Sequence, residues 1–396
     1  MFIIIRKDAK LSSKTNFIIR LLREDPNNKI FFVFKIETEK FKEKWCYNYV
    51  QLPSSIVGII TYYFLLMLRS PDEFRNALLR RLSFTKPKHV LLRNGFLSML
   101  RETLYLHFGN SVRSSMLMDY LRKLDSPRFF LIDEFVSLNC LDLRTLKRLG
   151  SIIYVSQDIA YNRYDFAGNL IIRNLIFRLE QEAIANFDLI VTCSERERLK
   201  YLEMGARTTI VYPNIYPTEE FEPCDKDEIP SISIVLRDHW GFVAEQSLST
   251  ILDALAYLNR QVRVYIIGIR PKRVPKNVKL EHRDFIPSKL EYLNLLSKSW
   301  IGINIGIHMS GTNERKYDYA EAGTVVFSDT LGARGDLLPH EYTYVDSHDL
   351  AAKINQLLEF GKVSITEMGA ENRKHVLSIA EKARQRLLDN IKKIIT

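Results

Sequence analysis

From Ile232 onward the chain repeats one pattern, a short apolar run, a polar turn and a helical stretch, and this repeat limits the fold more than any other feature. The runs are ISIVLR (232–237), VRVYIIG (262–268), WIGINIGI (300–307), TVVFSD (324–329) and YTYV (342–345). Helical periodicity fills Ala244–Leu258, Ser288–Ser299, Glu314–Glu321 and the closing stretch to Thr396. A strand that is apolar on both sides must be covered on both faces, and a helix between two such strands sends the chain back to begin the next in the same direction. The pattern therefore predicts a parallel sheet with helices on both faces.

The first half carries the same alternation in looser form. FIIIR (2–6), KIFFVFKI (29–36), HVLL (89–92), FFLID (129–133) and SIIYVS (151–156) read as strands, with a helix expected over Asn16–Arg23. LIIRNLIFRLEQEAIANF (170–187) has the spacing of an amphipathic helix. DLIVTC (188–193) follows as a strand, Ser194 is placed to cap the helix ERERLKYLEMGA (195–206), and TTIVYPN (208–214) ends at a Pro-Asn turn. Residues 215–230 (IYPTEEFEPCDKDEIP) hold three prolines and six acidic residues without apolar period. They read as a linker, giving domains 1–214 and 231–396 and an expected cleft between them that closes on ligand. Asp225-Lys226-Asp227 imitates a metal-binding DxD but stands in that linker, so solvated charge is expected there.

Charge is uneven. Residues 1–150 contain 26 Lys+Arg and 14 Asp+Glu, a net +12, which leaves −2 for the rest of a chain at +10. Arg75–Arg128 holds 11 basic and three acidic residues, a field suited to an anionic partner such as lipid phosphate. The longest uncharged apolar run, Ile56–Leu68, has 13 residues, short of the roughly 18–20 a bilayer span needs. It reads as a buried core helix or as a shallow membrane-docking element. Met1–Arg6 reads as a strand, not a signal peptide. Cys46, Cys140, Cys193 and Cys224 form no CxxC pair and suit reduced, mostly buried thiols in the cytoplasm. No metal-ligand pattern stands out, and no metal or cofactor is expected.

Two stretches carry a resemblance. DLIVTCSERERLKYLEMGARTTIVYPN (188–214) and SGTNERKYDYAEAGTVVFSD (310–329) resemble GT-B glycosyltransferases of the large retaining family four type. In that family an apolar strand ending in Ser, a helix ending in Gly and a strand ending in Pro-Asn close the N-terminal domain. A glycine turn, a helix bearing a carboxylate and an Ala-Gly-strand form the donor segment. Counted back from Gly323, Asp318 falls on the second glutamate of the family's Glu-x7-Glu pattern and Ser310 on the first. Arg237 matches the arginine of a strand end, while Phe242 replaces the lysine usual about five residues later. The Gly-Val-Asp usual after Pro-Asn is Ile215-Tyr216 here.

The resemblance implies an α/β fold of two facing Rossmann-like domains with parallel sheets, and transfer of a sugar from a nucleotide-diphosphate donor with retention. Ser310, Gly311, Thr312 and Asn313 at the mouth of the Glu314 helix would offer backbone N–H groups to the diphosphate, with Arg315 and Lys316 adding positive field. Asp318 would accept hydrogen bonds from the ribose, and Gly268 would let backbone approach the donor. Arg237 would neutralise the leaving diphosphate. Asp158, kept from the family's His-Asp strand end, would be catalytic together with Arg237; Gln157 replaces His there and suits a sugar-hydroxyl contact, and His239 would line the cleft. The acceptor, a glycan or lipid-linked group, falls to residues 1–150, in a cytoplasmic protein docked peripherally at the inner face of an anionic membrane. Two other readings stay open. One is a GT-B nucleotide-sugar epimerase or a phosphorylase-like enzyme; the other is a basic nucleic-acid-binding protein, for which no RRM, KH or zinc-finger signature is present.

Overall fold

The computed structural model describes residues 2–6, 18–19, 21–22, 30–34, 128–133, 143–156, 177, 180–218, 221–236, 242–306, 314–335 and 337–395. The chain divides into two compact units, one of Met1–Val211 with Leu387–Thr396, the other of Tyr212–Arg386.

The first unit is built on a six-stranded sheet of β1 (Phe2–Arg6), β2 (Ile30–Phe34), β3 (Arg128–Asp133), β4 (Gly150–Val155), β5 (Leu189–Thr192) and β6 (Thr209–Val211). All pairings are parallel and the spatial order is β2-β1-β3-β4-β5-β6. Phe129–Ile132 and Ile152–Val155 are buried without interruption, as strands covered on both faces must be. Helices α1 (Leu143–Leu149) and α2 (Glu195–Glu203) accompany them. Ser194 caps α2, its hydroxyl accepting from Glu197 N at 3.3 Å, while the Glu197 carboxylate accepts from Cys193 N at 3.0 Å. The first bond satisfies a donor that the first helical turn leaves open, the second ties the residue before the cap to the helix, and Gly205 at φ 95° follows its C-terminal end. The expected strand at 89–92 lies outside the described residues; the expected helix over 170–187 is helical at 177 and 180–184.

The second unit contains β7 (Ser231–Leu236), α3 (Phe242–Ala256), β8 (Val262–Gly268), β9 (Val278–Arg283), α4 (Lys289–Lys298), β10 (Ile301–Asn304), α5 (Glu314–Glu321), β11 (Val325–Asp329), β12 (Glu341–Tyr344), α6 (Ser347–Leu358) and α7 (Gly361–Ile395) as far as Arg386. The sheet is parallel in the order β12-β11-β10-β7-β8-β9. Alternation along each strand sends residues to two separate cores. Ile232, Ile234, Val264, Ile266 and Phe327 meet α3 and α6, whereas Val235, Ile267 and Val326 meet α4, α5 and α7. Helix α7 crosses the turn after α5 glycine on glycine: a Cβ on Gly369 would lie 1.9 Å from the Gly323 carbonyl oxygen, and Gly323 itself has φ 70°.

The segment expected as a linker with solvated charge is built into the second unit. Ile215 and Phe221 are buried in the core with α4 and α5. Cys224 N donates to Ser297 Oγ at 3.1 Å, and the Trp300 indole donates to the Asp227 carbonyl at 2.8 Å. The Asp227 carboxylate accepts from Tyr265 at 2.7 Å and Arg263 at 3.3 Å, and the buried Lys226 ammonium donates to Ser299 O at 2.6 Å. Two anchoring apolar residues six apart leave no period to detect; buried Lys226 finds its partner at the C-cap of α4 and half-buried Asp227 finds its partners on β8, while Asp225 is exposed as expected. Of the two described cysteines, Cys193 is buried and Cys224 exposed.

Candidate functional site

In a doubly wound sheet the chain reverses its direction of travel once, and the two strands flanking the reversal open a crevice at their C-terminal ends. Here those strands are β7 and β10. They pair from Ile301↔Ile232 to Ile303↔Ile234 and then separate. Two side chains of α5, four residues apart and so on one helical face, stand at the opening. The Tyr319 hydroxyl accepts from Val235 N at 3.0 Å and donates to Ile303 O at 3.2 Å. The Arg315 guanidinium donates to Val235 O at 3.0 Å and to Ile305 O at 3.3 Å. Backbone groups that the ladder would have paired are thus satisfied by a helix, which holds the strands apart. Burial, opposed by the Arg315 charge, pushes the Tyr319 phenol upward, so it stays protonated and able to donate. The ring lies against Gly302, where a Cβ would come within 2.3 Å of it.

Asp318 lies between Arg315 and Tyr319 in the sequence of the same helix. Its carboxylate is paired with Lys289 at the start of α4 and accepts from the Tyr292 hydroxyl at 3.2 Å, with 11% of the side chain exposed. Burial pulls the Lys289 ammonium down, but attraction to Asp318 and the hydrogen bond to it prevail, and the net shift is upward. One turn on, Glu321 accepts from Thr218 N at 2.6 Å; burial raises this carboxyl against the opposing N–H. Ser288 caps α4 by accepting from Glu291 N. In the loop from β9 to α4, Phe285 is 72% exposed, four residues before Lys289. A third feature joins the strand ends. Asp329 Oδ1 accepts from Gly306 N at 2.9 Å and Gly332 N at 2.5 Å, tying the loop after β11 to the backbone after β10.

Of the residues singled out from sequence, Arg315, Asp318, Lys316 and Gly268 are described. Arg315 binds strand-end carbonyls, and Asp318 sits on the same helix. Lys316 departs from the expected phosphate-facing cation: its side chain is fully buried and paired with Glu341 at 2.7 Å. Gly268 ends β8 at φ 105°, a backbone state that favours glycine, and its carbonyl accepts from the His282 ring at 2.9 Å. Arg237, His239, Gln157, Asp158, Ser310, Gly311, Thr312 and Asn313 lie outside the described residues. Leu236, the end of β7, precedes Arg237, and buried Ser156, joined to Tyr201 at 2.9 Å, precedes Gln157. Sequence reasoning missed Tyr319, Lys289, Tyr292 and Phe285. The glycine at 302 inside an apolar strand was the available signal for Tyr319, since glycine there marks close approach of another group. Among the described residues no group of three His, Cys, Asp or Glu side chains could hold a metal ion.

No protein-family model matches the chain, and no curated protein matches it in sequence. Solved structures do match it in shape. A UDP-forming α,α-trehalose-phosphate synthase from Burkholderia xenovorans superposes with TM-score 0.65 at 12% identity, covering 100% of this chain and 99% of the other. Sucrose-phosphate synthase from Thermosynechococcus elongatus gives 0.61 at 13% identity over 100% and 98%. HepE of Anabaena, solved with UDP and glucose, gives 0.63 at 11% identity over 99% of both chains. These neighbours are GT-B glycosyltransferases. With its two doubly wound parallel sheets, the chain has the GT-B fold.

Proposed function

We propose that the protein is a glycosyltransferase that takes a sugar from a nucleotide-diphosphate donor bound at the β7–β10 opening. The observation that carries this reading is the opening itself, held by Arg315 and Tyr319 of the helix that also bears Asp318. The N-terminus of α5 presents N–H groups and about half a positive charge toward this end of the sheet, a setting suited to a diphosphate. Asp318, paired with Lys289, accepts from the ribose hydroxyls. Phe285 offers an exposed ring to a base. Structural neighbours solved with UDP or forming UDP support uridine diphosphate as the first nucleotide to try.

In the reaction the bond from the anomeric carbon to the β-phosphate oxygen breaks and a bond to an acceptor oxygen forms. The acceptor proton leaves on the departing phosphate, and no protein nucleophile is needed. Retention of configuration follows from that front-face course. Arg237 would stabilise charge as it grows on the phosphate, which raises turnover as well as binding. Gln157, Asp158 and His239 would contact the transferred sugar. Incubation with UDP-, GDP- and ADP-sugars should release one nucleoside diphosphate slowly to water and faster with the right acceptor. A folded enzyme that cleaves none of them would sink the proposal.

The acceptor we assign to the basic first unit, with a lipid-linked or membrane-proximal group as its source. Among the described residues no helix is long and apolar enough to cross a membrane; Ile56–Leu68 and residues 75–127 of the basic stretch lie outside them. Each basic residue near an anionic leaflet contributes about 1 kcal/mol, so a few give reversible docking. Flotation should recover the protein with anionic vesicles and not with neutral ones, and equal recovery would remove the membrane part of the proposal.

A further inference from the structure

Four polar side chains of the second unit form one buried chain, joined through Gly332 to the half-buried Asp329 of the site above. Lys316 and Glu341 are 0% and 2% exposed and lie 2.7 Å apart. The Lys316 ammonium also donates to Ala333 O at 3.2 Å. Glu341 Oε1 accepts from Ser328 Oγ at 2.8 Å, and its Oε2 accepts from Leu338 N at 3.4 Å. Ser328 Oγ in turn accepts from Asn304 Nδ2 at 3.1 Å, and the same amide donates to Gly332 O at 3.0 Å. Asp329 accepts from Gly306 and Gly332.

An ion pair removed from water loses its hydration, and an apolar pair of similar volume is often at least as stable. What the charges contribute here is position. Their bonds run from α5 to β12, to the ends of β10 and β11, and to the loop after β11. That loop fixes Gly306: a Cβ on Gly306 would come within 2.3 Å of Gly332 N and of the Leu331 carbonyl carbon. Gly306 is the last described residue before the stretch that leads into α5.

We propose that Lys316 and Glu341 are positioning residues for the donor, which set the backbone at Gly306 and the start of α5 and thereby the affinity for a nucleotide's diphosphate. The proposal rests on the glycosyltransferase reading of the β7–β10 opening. The test is titration of UDP, GDP and ADP by calorimetry into the wild-type chain, Glu341→Gln, and the double variant Lys316→Met/Glu341→Leu, each with a thermal melt. The double variant removes both charges and keeps most of the volume. It should melt at or above the wild-type temperature yet bind the wild type's preferred diphosphate about ten-fold more weakly, the worth of one misplaced hydrogen bond. A pair with a structural role alone would move the melt and leave affinity unchanged, and that result overturns the proposal. If the double variant does not fold, Glu341→Gln decides in the same way: weaker binding supports the proposal and equal binding overturns it. Failure of the wild type to bind any of the three overturns the glycosyltransferase reading itself, and this proposal with it.

Discussion

Gly302 shows how little room the opening leaves. A Cβ there would meet three ring atoms of Tyr319 between 2.3 and 2.9 Å, so Gly302→Ala must push the ring out. Val235 N and Ile303 O would then lose their shared hydroxyl. Overpacking and the unpaired backbone groups together should cost about 1–3 kcal/mol, measured as a shift in the urea midpoint. An unchanged midpoint would mean that the ring does not seat on Gly302. Asp318 was legible in sequence because its distance from Gly323 is a local count. Tyr319 was not, since a tyrosine on an amphipathic helix reads as ordinary core. Its partner Val235 lies 84 residues away, and only the strand order brings them together. The buried pairing of Lys316 was not legible for the same reason: nothing near it in the chain announces Glu341.

Among the elements, the segment 212–230 departs furthest from its sequence reading, and it carries a titration of its own. Burial, partly offset by Asp227, pushes the Lys226 ammonium down from 10.5 to about 7. Between those values the unfolded chain holds a proton that the folded chain has released, so stability rises with pH across that window. The slope reaches at most about 1.4 kcal/mol per pH unit. Chemical denaturation from pH 6 to 10 should show the rise in the wild type and a flatter curve in Lys226→Met. Parallel curves would contradict a buried, readily neutralised lysine. Strand β9 was missed on other grounds. It is an edge strand whose burial alternates, with Val278 buried and Lys279, Glu281 and Arg283 exposed, so it lacks the continuous apolar run that marked its neighbours. The central strands β7, β8, β10 and β11 were legible because both of their faces are covered.

At the scale of the whole molecule, alternation of strand and helix was enough to read parallel sheets covered by helices, while the GT-B reading, which structural neighbours share at 11–13% identity, came from the resemblance of 188–214 and 310–329. The unit boundary was harder to read. Leu387 and Ile391 are buried in the last turns of α7, which group with the first unit, and helical period does not say which core a helix will meet. The central claim is that the β7–β10 opening of the second unit binds a nucleoside diphosphate with Asp318 on its ribose. It is tested most directly by titrating UDP, GDP and ADP into the wild-type chain and Asp318→Asn, with thermal unfolding of both. One diphosphate should bind the wild type one-to-one and, at about 100 times its Kd, raise stability by about 2.7 kcal/mol. Asp318→Asn should bind it about 10-fold or more weakly, with a stability loss of about 1–3 kcal/mol from the weakened bonds of this buried carboxylate to Lys289 and Tyr292. Binding that is absent from the folded wild type, or equal in both proteins, would contradict the account.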